Sequence, residues 1–200
     1  IWAEVRPRIE EAFAKKIDNA IFNGTEKPAD WRDGLIPTIV KVGAEVPESE
    51  KLYNDINDAM VKVEESGYNV SGLLGGTGLK GKFRMMLDAN GQPLNQTEIG
   101  SLKREYLDNG AWDKTLSTLV VGDFNQAVYS IRQDITYKVL TEAVIQDPAS
   151  GEILYNLAQD DMVALRVVMR LGWEIPNPVN AENETETRFP FASVKPTASL

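Results

Sequence analysis

Two stretches of this chain alternate apolar and polar residues for longer than a compact domain requires. In the first, Ile131, Ile135, Tyr137 and Val139 fall on one side, and Arg132, Asp134, Thr136, Lys138 and Glu142 on the other. In the second, Val163, Leu165, Val167, Met169, Leu171 and Trp173 alternate with Ala164, Arg166, Arg170 and Glu174. A period of two marks a strand with one buried face. Strands usually run about five or six residues, so two runs this long, at about 3.3 Å per residue, each reach ~35 Å or more. Asp147-Pro148-Ala149-Ser150-Gly151 lies between them and reads as a turn, which makes the pair a long antiparallel hairpin.

The N-terminal stretch has a matching reach. Trp2, Val5, Ile9, Phe13, Ile17 and Ile21 recur at three and four residues, one face of an amphipathic helix. Asn23-Gly24 stops it, and about twenty residues at 1.5 Å make a rod of roughly 30 Å. Rod and hairpin are expected to lie together as an arm, with residues from about 25 to 129 forming a separate compact body. In that body Ile36–Val42 reads as a short strand. Pro47 opens a second helix carrying Leu52, Ile56, Met60 and Val63, and Gly67 ends it. Tyr68–Leu74 reads as a strand, Lys82–Asp88 as a short helix, Asn90-Gly91 as a turn and Leu116–Val121 as a buried strand; Glu98–Leu107 is ambiguous. Gly24, Gly110 and Gly122 are placed at turns. Asn180–Leu200, acidic and then Pro-rich, shows no period and is expected along the surface.

Composition narrows the chemistry. The chain has no Cys and no His, which removes thiolate metal sites, disulfides, the usual general base and every Ser-His or Cys-His arrangement. The formal net charge is −9 with scattered basic residues, a poor match to a protein that neutralises phosphates by clustered Lys and Arg. No apolar run is long enough to span a membrane, and no membrane partner is expected. The first residue is Ile1, already inside a helical pattern, so an N-terminal part is expected to have been removed. Asn-x-Ser/Thr matches at Asn23, Asn69, Asn95 and Asn183 matter only in a secreted chain.

One motif invites a catalytic reading. Gly76-Thr77-Gly78-Leu79-Lys80-Gly81-Lys82 matches G-x-G-x-x-G and nearly matches a phosphate loop. Leu119-Val120-Val121-Gly122-Asp123 could then be a strand presenting a magnesium-binding Asp. Against this, Phe83 stands where the phosphate loop needs Ser or Thr. The dinucleotide version also needs a full helix and a second parallel strand, whereas only seven residues separate the loop from Ala89-Asn90-Gly91. Asp160-Asp161 could ligate a metal with Glu152 or Glu142, but neighbours in a strand point to opposite faces. Solvated strand residues are the plainer reading. Trp112 reads as an anchored loop aromatic.

Three ordered segments carry a resemblance: RPRIEEAFAKKIDNAIFNG from Arg6 to Gly24, NGAWDKTLSTLVVGDFNQAVYSIRQDITYKVLTEAV from Asn109 to Val144, and NLAQDDMVALRVVMRLGWEIPNPV from Asn156 to Val179. Together they resemble the major capsid proteins of tailed bacteriophages and prophages, of the Hong Kong 97 type. The resemblance implies an α+β fold with a spine helix, a long antiparallel peripheral sheet and a compact axial domain. Residues 1–24 and 130–175 would be peripheral, and residues 25–129 and 176–200 axial. The N-terminal arm and extended loop of that family are absent from this chain. The implied role is a structural subunit, not an enzyme. It self-assembles into hexamers and pentamers of an icosahedral shell around DNA, with portal, scaffold and maturation protease as further partners. The implied location is the virion, after assembly in the bacterial cytoplasm. Packaged DNA would lie close without being gripped.

No catalytic, cofactor-binding or metal residue is assigned, and no cofactor is expected. Some relatives crosslink their shells through a loop Lys and an Asn on the peripheral sheet, with a Glu nearby. The matching positions here hold Asp161 and Val168, so that chemistry is not carried over. On this reading Asp123 caps or turns the chain as it leaves a buried strand. The alternatives are a nucleotide-binding protein using Gly76–Lys82 and an encapsulin-type nanocompartment shell protein, which shares the fold but encloses protein cargo.

Overall fold

The computed structural model describes residues 2–86, 98–177 and 180–197. The expected Asn90-Gly91 turn and the Asn95 motif lie outside the described residues. The chain divides into two compact units, one of residues Ile1–Val128 with Glu174–Leu200 and the other of residues Tyr129–Trp173.

The larger unit is built on a five-stranded sheet of order β1-β9-β4-β2-β3. Its strands are β1 (Glu45–Pro47), β2 (Gly72–Gly76), β3 (Lys103–Leu107), β4 (Leu119–Gly122) and β9 (Phe191–Lys195). β1 runs parallel to β9 and β2 parallel to β3, while β4 is antiparallel to both β2 and β9. Four strands therefore share one direction and β4 opposes them. Helix α3 (Leu52–Glu65) lays Ile56, Ala59, Met60 and Val63 against Leu73, Leu119, Val121, Ala192 and Val194. Side chains alternate along a strand, so Val120, Phe191 and Ser193 point to the opposite face, and all three are fully buried.

β9 corrects the expectation for the C-terminal segment. The segment 180–200 lacks a long period, which predicts surface chain. Yet Phe191, Ala192, Ser193 and Val194 sit at zero exposure in the middle of the sheet. A central strand is buried on both faces, so its sequence is a short apolar run rather than an alternation. Proline and acidic residues before it dilute the signal.

Two other elements differ from expectation. Leu35–Val42 is a helix, α2, not a strand. Its β-branched run suggests a strand, but Leu35, Ile36 and Ile39 form one helical face. Pro37 lies in the first turn, where a missing N–H costs nothing. Gly43, at φ +75°, ends the helix by donating its N–H to Ile39 and Val40. Pro47 ends edge strand β1 instead of opening a helix, a site where a strand tolerates proline. α3 starts at Leu52, and its buried Asp55 accepts from the Ser49 N–H at 2.8 Å and the Ser49 hydroxyl at 2.6 Å. The ambiguous segment resolves into α5 (Glu98–Ser101) followed by β3. The short helix expected at Lys82–Asp88 is α4 (Leu79–Arg84), and Leu87 and Asp88 lie outside the described residues.

The N-terminal helix forms as expected. α1 (Trp2–Asp18) passes into a π-helical turn (Asn19–Asn23), and Gly24 caps it at φ +71°. Its end is tied to the loop after β3. Asn109 Nδ2 donates to Asp18 Oδ2 at 2.6 Å, and Asn23 Nδ2 donates to the Ala111 carbonyl at 2.7 Å. Half-burial pushes the Asp18 carboxyl above its usual range, and the Asn109 hydrogen bond offsets part of that.

The smaller unit holds two paired sets of strands. β5 (Val128–Leu140) and β8 (Ala164–Glu174) form a two-stranded ribbon, and β6 (Val144–Gln146) pairs antiparallel with β7 (Ile153–Asn156). At about 3.3 Å per residue, the thirteen residues of β5 extend ~43 Å. The turn expected at 147–151 is present. Asp147 accepts from the N–H groups of Ala149 at 2.7 Å and Ser150 at 3.3 Å, and Gly151 adopts φ +73°. It joins β6 to β7, however, not the two long strands. A further turn through residues 157–161 precedes β8.

Phe191→Ala is expected to cost about 3–5 kcal/mol by emptying a fully buried site, lowering the melting midpoint by roughly 10 °C. A thermal melt followed by circular dichroism measures it, and a shift near zero contradicts a central β9. Asp18 supplies a pH test. Its raised pKa means the folded chain keeps the proton longer than the unfolded chain. Stability is therefore highest below the ordinary carboxylate pKa and falls as pH rises through the raised folded value. Asp18→Asn keeps an acceptor for Asn109. Denaturant titrations across mildly acidic to neutral pH should show the variant gaining stability over the parent as pH rises.

Candidate functional site

The glycine loop leaves the C-terminal end of β2 and enters α4, a helix of six residues. A pocket of about 170 Å³ opens here, bordered by Gly76, Gly78, Lys82, Trp112, Lys114 and Pro196 among others. A Cβ on Gly75 would meet Leu79 Cδ2 at 2.6 Å, and a Cβ on Gly76 would meet Trp112 Cδ1 at 3.0 Å. These glycines admit Leu79 and the indole; the close neighbour of the backbone is protein. Trp112 is buried and anchored by its Nε1–H on the Ser117 carbonyl at 2.9 Å, as the sequence reading expected.

Lys82, the candidate phosphate-binding cation, is paired with Glu48, and the other Glu48 oxygen accepts from the Thr118 hydroxyl at 2.5 Å. Phe83 is buried in the core and cannot be replaced in function by a hydroxyl aimed at a metal. A second parallel strand does follow the loop: β3 lies beside β2 in parallel register, which corrects the expectation that none exists. The topology is therefore closer to a nucleotide fold than the sequence suggested, while the side chains are not.

Asp123 decides the matter. β2 and β4 are antiparallel, with Gly72 opposite Gly122 and Gly75 opposite Leu119. Asp123 thus sits at the Gly72 end of the sheet and the glycine loop at the Gly76 end. Four residues of strand separate those ends by about 13 Å. The carboxylate turns the chain instead: it accepts from Asn125 N at 3.1 Å, Asn125 Nδ2 at 2.9 Å and Gln126 Nε2 at 3.0 Å. Gly122 is not a turn residue as expected but lies in β4. A Cβ there would come within 2.4 Å of both Phe191 Cδ1 and the Pro190 carbonyl, so only glycine lets β9 pack against it. Gly24 and Gly110 do occupy turns, at φ +71° and +75°.

Asp160 and Asp161 lie in the turn before β8, not at a strand start. Asp160 accepts from the Asn156 N–H at 2.9 Å, and Asp161 has φ +50°. Among the described residues no group of three Asp or Glu could hold a metal ion, and no helix is long and apolar enough to cross a membrane.

Comparison with known proteins agrees with the fold. The model of the Phage capsid family matches residues 1–181. The chain belongs to the phage capsid family. It is 27% identical over 185 residues to the major capsid protein of Staphylococcus phage 80alpha, covering 87% of this chain and 54% of that protein. The chain thus spans about half the length of this curated relative. Among solved structures, one from Microbacterium phage Oxtober96 matches with a TM-score of 0.84 and 32% identity, over 98% of this chain and 66% of that one. Another, from Mycobacterium phage Cain, matches with a TM-score of 0.82 and 28% identity, over 100% and 66%.

For a phage capsid family member the informative surface is the smaller unit. Tyr129, Ile131, Val139, Val144, Ile153, Leu154, Tyr155, Met162 and Val163 are large apolar side chains left exposed there. Exposed apolar side chains in this number, on so small a unit, are the feature that sets it apart from the larger one. Sequence reasoning found the alternation of the ribbon but missed the β6–β7 hairpin, whose three- and four-residue strands give too short a pattern.

Nucleotide with magnesium is expected to leave the melting midpoint unchanged, whereas a site filled at a hundred times its dissociation constant adds about 2.7 kcal/mol. Lys82→Ala should cost less than about 1 kcal/mol, as for other half-exposed ion pairs.

Proposed function

We propose that the chain is the shell-forming part of a phage or prophage major capsid protein. Copies associate into hexamers and pentamers and enclose the DNA genome. The observation that carries this is the exposed apolar surface on the unit of β5–β8, in a chain that belongs to the phage capsid family. A two-stranded ribbon is marginal alone in water, and neighbouring copies would supply the missing cover.

In this reading the spine helix and ribbon, residues 1–24 and 130–175, act as the peripheral domain. Residues 25–129 and 176–200 act as the axial domain gathered at the symmetry axes. By contact density α1 groups with the larger unit, so the peripheral role of the helix rests on the family likeness. A net charge of −9 suits a wall that should not hold phosphates. The portal, a scaffold and a maturation protease are the further partners this role requires, and assembly in the bacterial cytoplasm precedes the virion.

The full-length gene product, purified with and without its scaffold, is expected to give megadalton particles by light scattering after size exclusion, with shells visible by electron microscopy. A species that stays at the monomer mass in both preparations overturns the reading.

A further inference from the structure

The smaller unit is divided by charge. Residues 141–162 carry Glu142, Asp147, Glu152, Asp160 and Asp161 and no Lys or Arg. The ribbon strands carry Arg132, Lys138, Arg166 and Arg170 against Asp134 alone, until Glu174 at the far end of β8. Strand alternation puts the four cations at even positions. Thr136, Lys138, Arg166, Val168 and Arg170 border one groove of about 460 Å³, and the Thr136 hydroxyl reaches the Val168 carbonyl across it. The hairpin half is exposed and apolar as well as acidic, with Val144, Ile153, Leu154 and Tyr155 open to solvent. Among the described residues, Glu142, Glu152, Lys138, Arg166 and Arg170 form no ion pair.

We propose that the β6–β7 hairpin of one copy docks in the basic groove of the β5–β8 ribbon of a second copy. This deepens the proposed shell function and rests on it. The occupant is fixed by complementarity. The groove offers cations around Thr136 and Val168, and the hairpin offers carboxylates beside uncovered aliphatic and aromatic groups. Like-charge repulsion opposes hairpin meeting hairpin or groove meeting groove, so a two-fold contact of identical patches is disfavoured. The contact is therefore heterologous, each copy giving its hairpin to one neighbour and receiving another's, and such contacts close into rings when the rotation permits. Opposite charges across an interface set register and suppress wrong pairings.

The test uses charge exchange in the full-length protein. E142K/E152K changes the acidic segment that contains the hairpin and R166E/R170E changes the groove, all at exposed positions. Each double variant is expected to lower particle formation about tenfold at low salt, the ratio that corresponds to ~1.4 kcal/mol. The quadruple variant, with the charges exchanged, should recover most of it. Parent assembly through this contact should weaken between about 0.05 M and 0.5 M salt as screening shortens. Variants that fail to fold by circular dichroism are replaced by E142Q/E152Q and R166Q/R170Q, which should flatten that salt dependence. The inference is overturned if the double variants assemble like the parent, or if the exchanged protein stays as defective as either double while folded. It is also overturned if the groove variants lose DNA retention with assembly unchanged, which would make the groove a nucleic-acid surface. Should the parent itself form no particles with scaffold present, the shell reading falls and this inference with it; insensitivity of an assembling parent sinks the inference alone.

Discussion

The insertion of β9 between β1 and β4 is the constraint on which the larger unit depends. β1 has three residues and pairs with β9, so without β9 it has no place in the sheet. α3 rests on Ala192 and Val194 from β9 as well as on Leu119 and Val121 from β4. The same strand sends Phe191 to the opposite face, against Phe124 at 5.2 Å and Phe189 at 5.9 Å between ring centroids. One five-residue segment near the C-terminus therefore contributes to both faces of the core. Contacts so distant in sequence must be closed against loop entropy before they stabilise anything, which slows folding.

Much of this was legible in the sequence, and the failures have physical causes. α1, the apolar stripe of α3 and the long alternation of β5 and β8 are periodic over many residues, and period is what a sequence reports well. β9 is short and buried on both faces, which erases its alternation. α2 carries β-branched residues whose local preference is extended, but Gly34 and Gly43 bracket a helix that buries Leu35, Ile36 and Ile39 together. Tertiary burial overrode propensity there. Asp147 and Gly151 were visible as a turn because turn chemistry is local. Which strands they joined was not visible, because β6 and β7 are too short to announce themselves.

The glycine loop shows why a motif needs its context. Glycine is selected wherever something comes close to the backbone, and the sequence cannot say what. At Gly75 and Gly76 the close neighbours are Leu79 and Trp112; at Gly122 they are Phe191 and Pro190. A phosphate would also require an unneutralised cation and an acid at the same end of the sheet. Lys82 is instead committed to Glu48, and the antiparallel direction of β4 carries Asp123 to the other end. Residue spacing does not encode strand direction, and here that direction keeps Asp123 from the glycine loop.

The smaller unit poses the opposite problem, since its sequence pattern is clear and its energetics are incomplete. A compact domain of this chain's length has no need of a thirteen-residue strand, and a two-stranded ribbon has only one partner strand to hold it. Large apolar side chains stand exposed on it, and Lys138, Arg166 and Arg170 line a groove in which no ion pair forms among the described residues. Selection for solubility alone would remove exposed Tyr129, Ile153 and Tyr155, because such surfaces promote association. Their presence beside a segregated charge pattern is what association requires: the apolar groups give the drive, and the separated charges decide which surfaces meet. On the proposed shell function, a chain with this unit reaches its lowest free energy in company with copies of itself, and the folded monomer is an intermediate on the way to the shell.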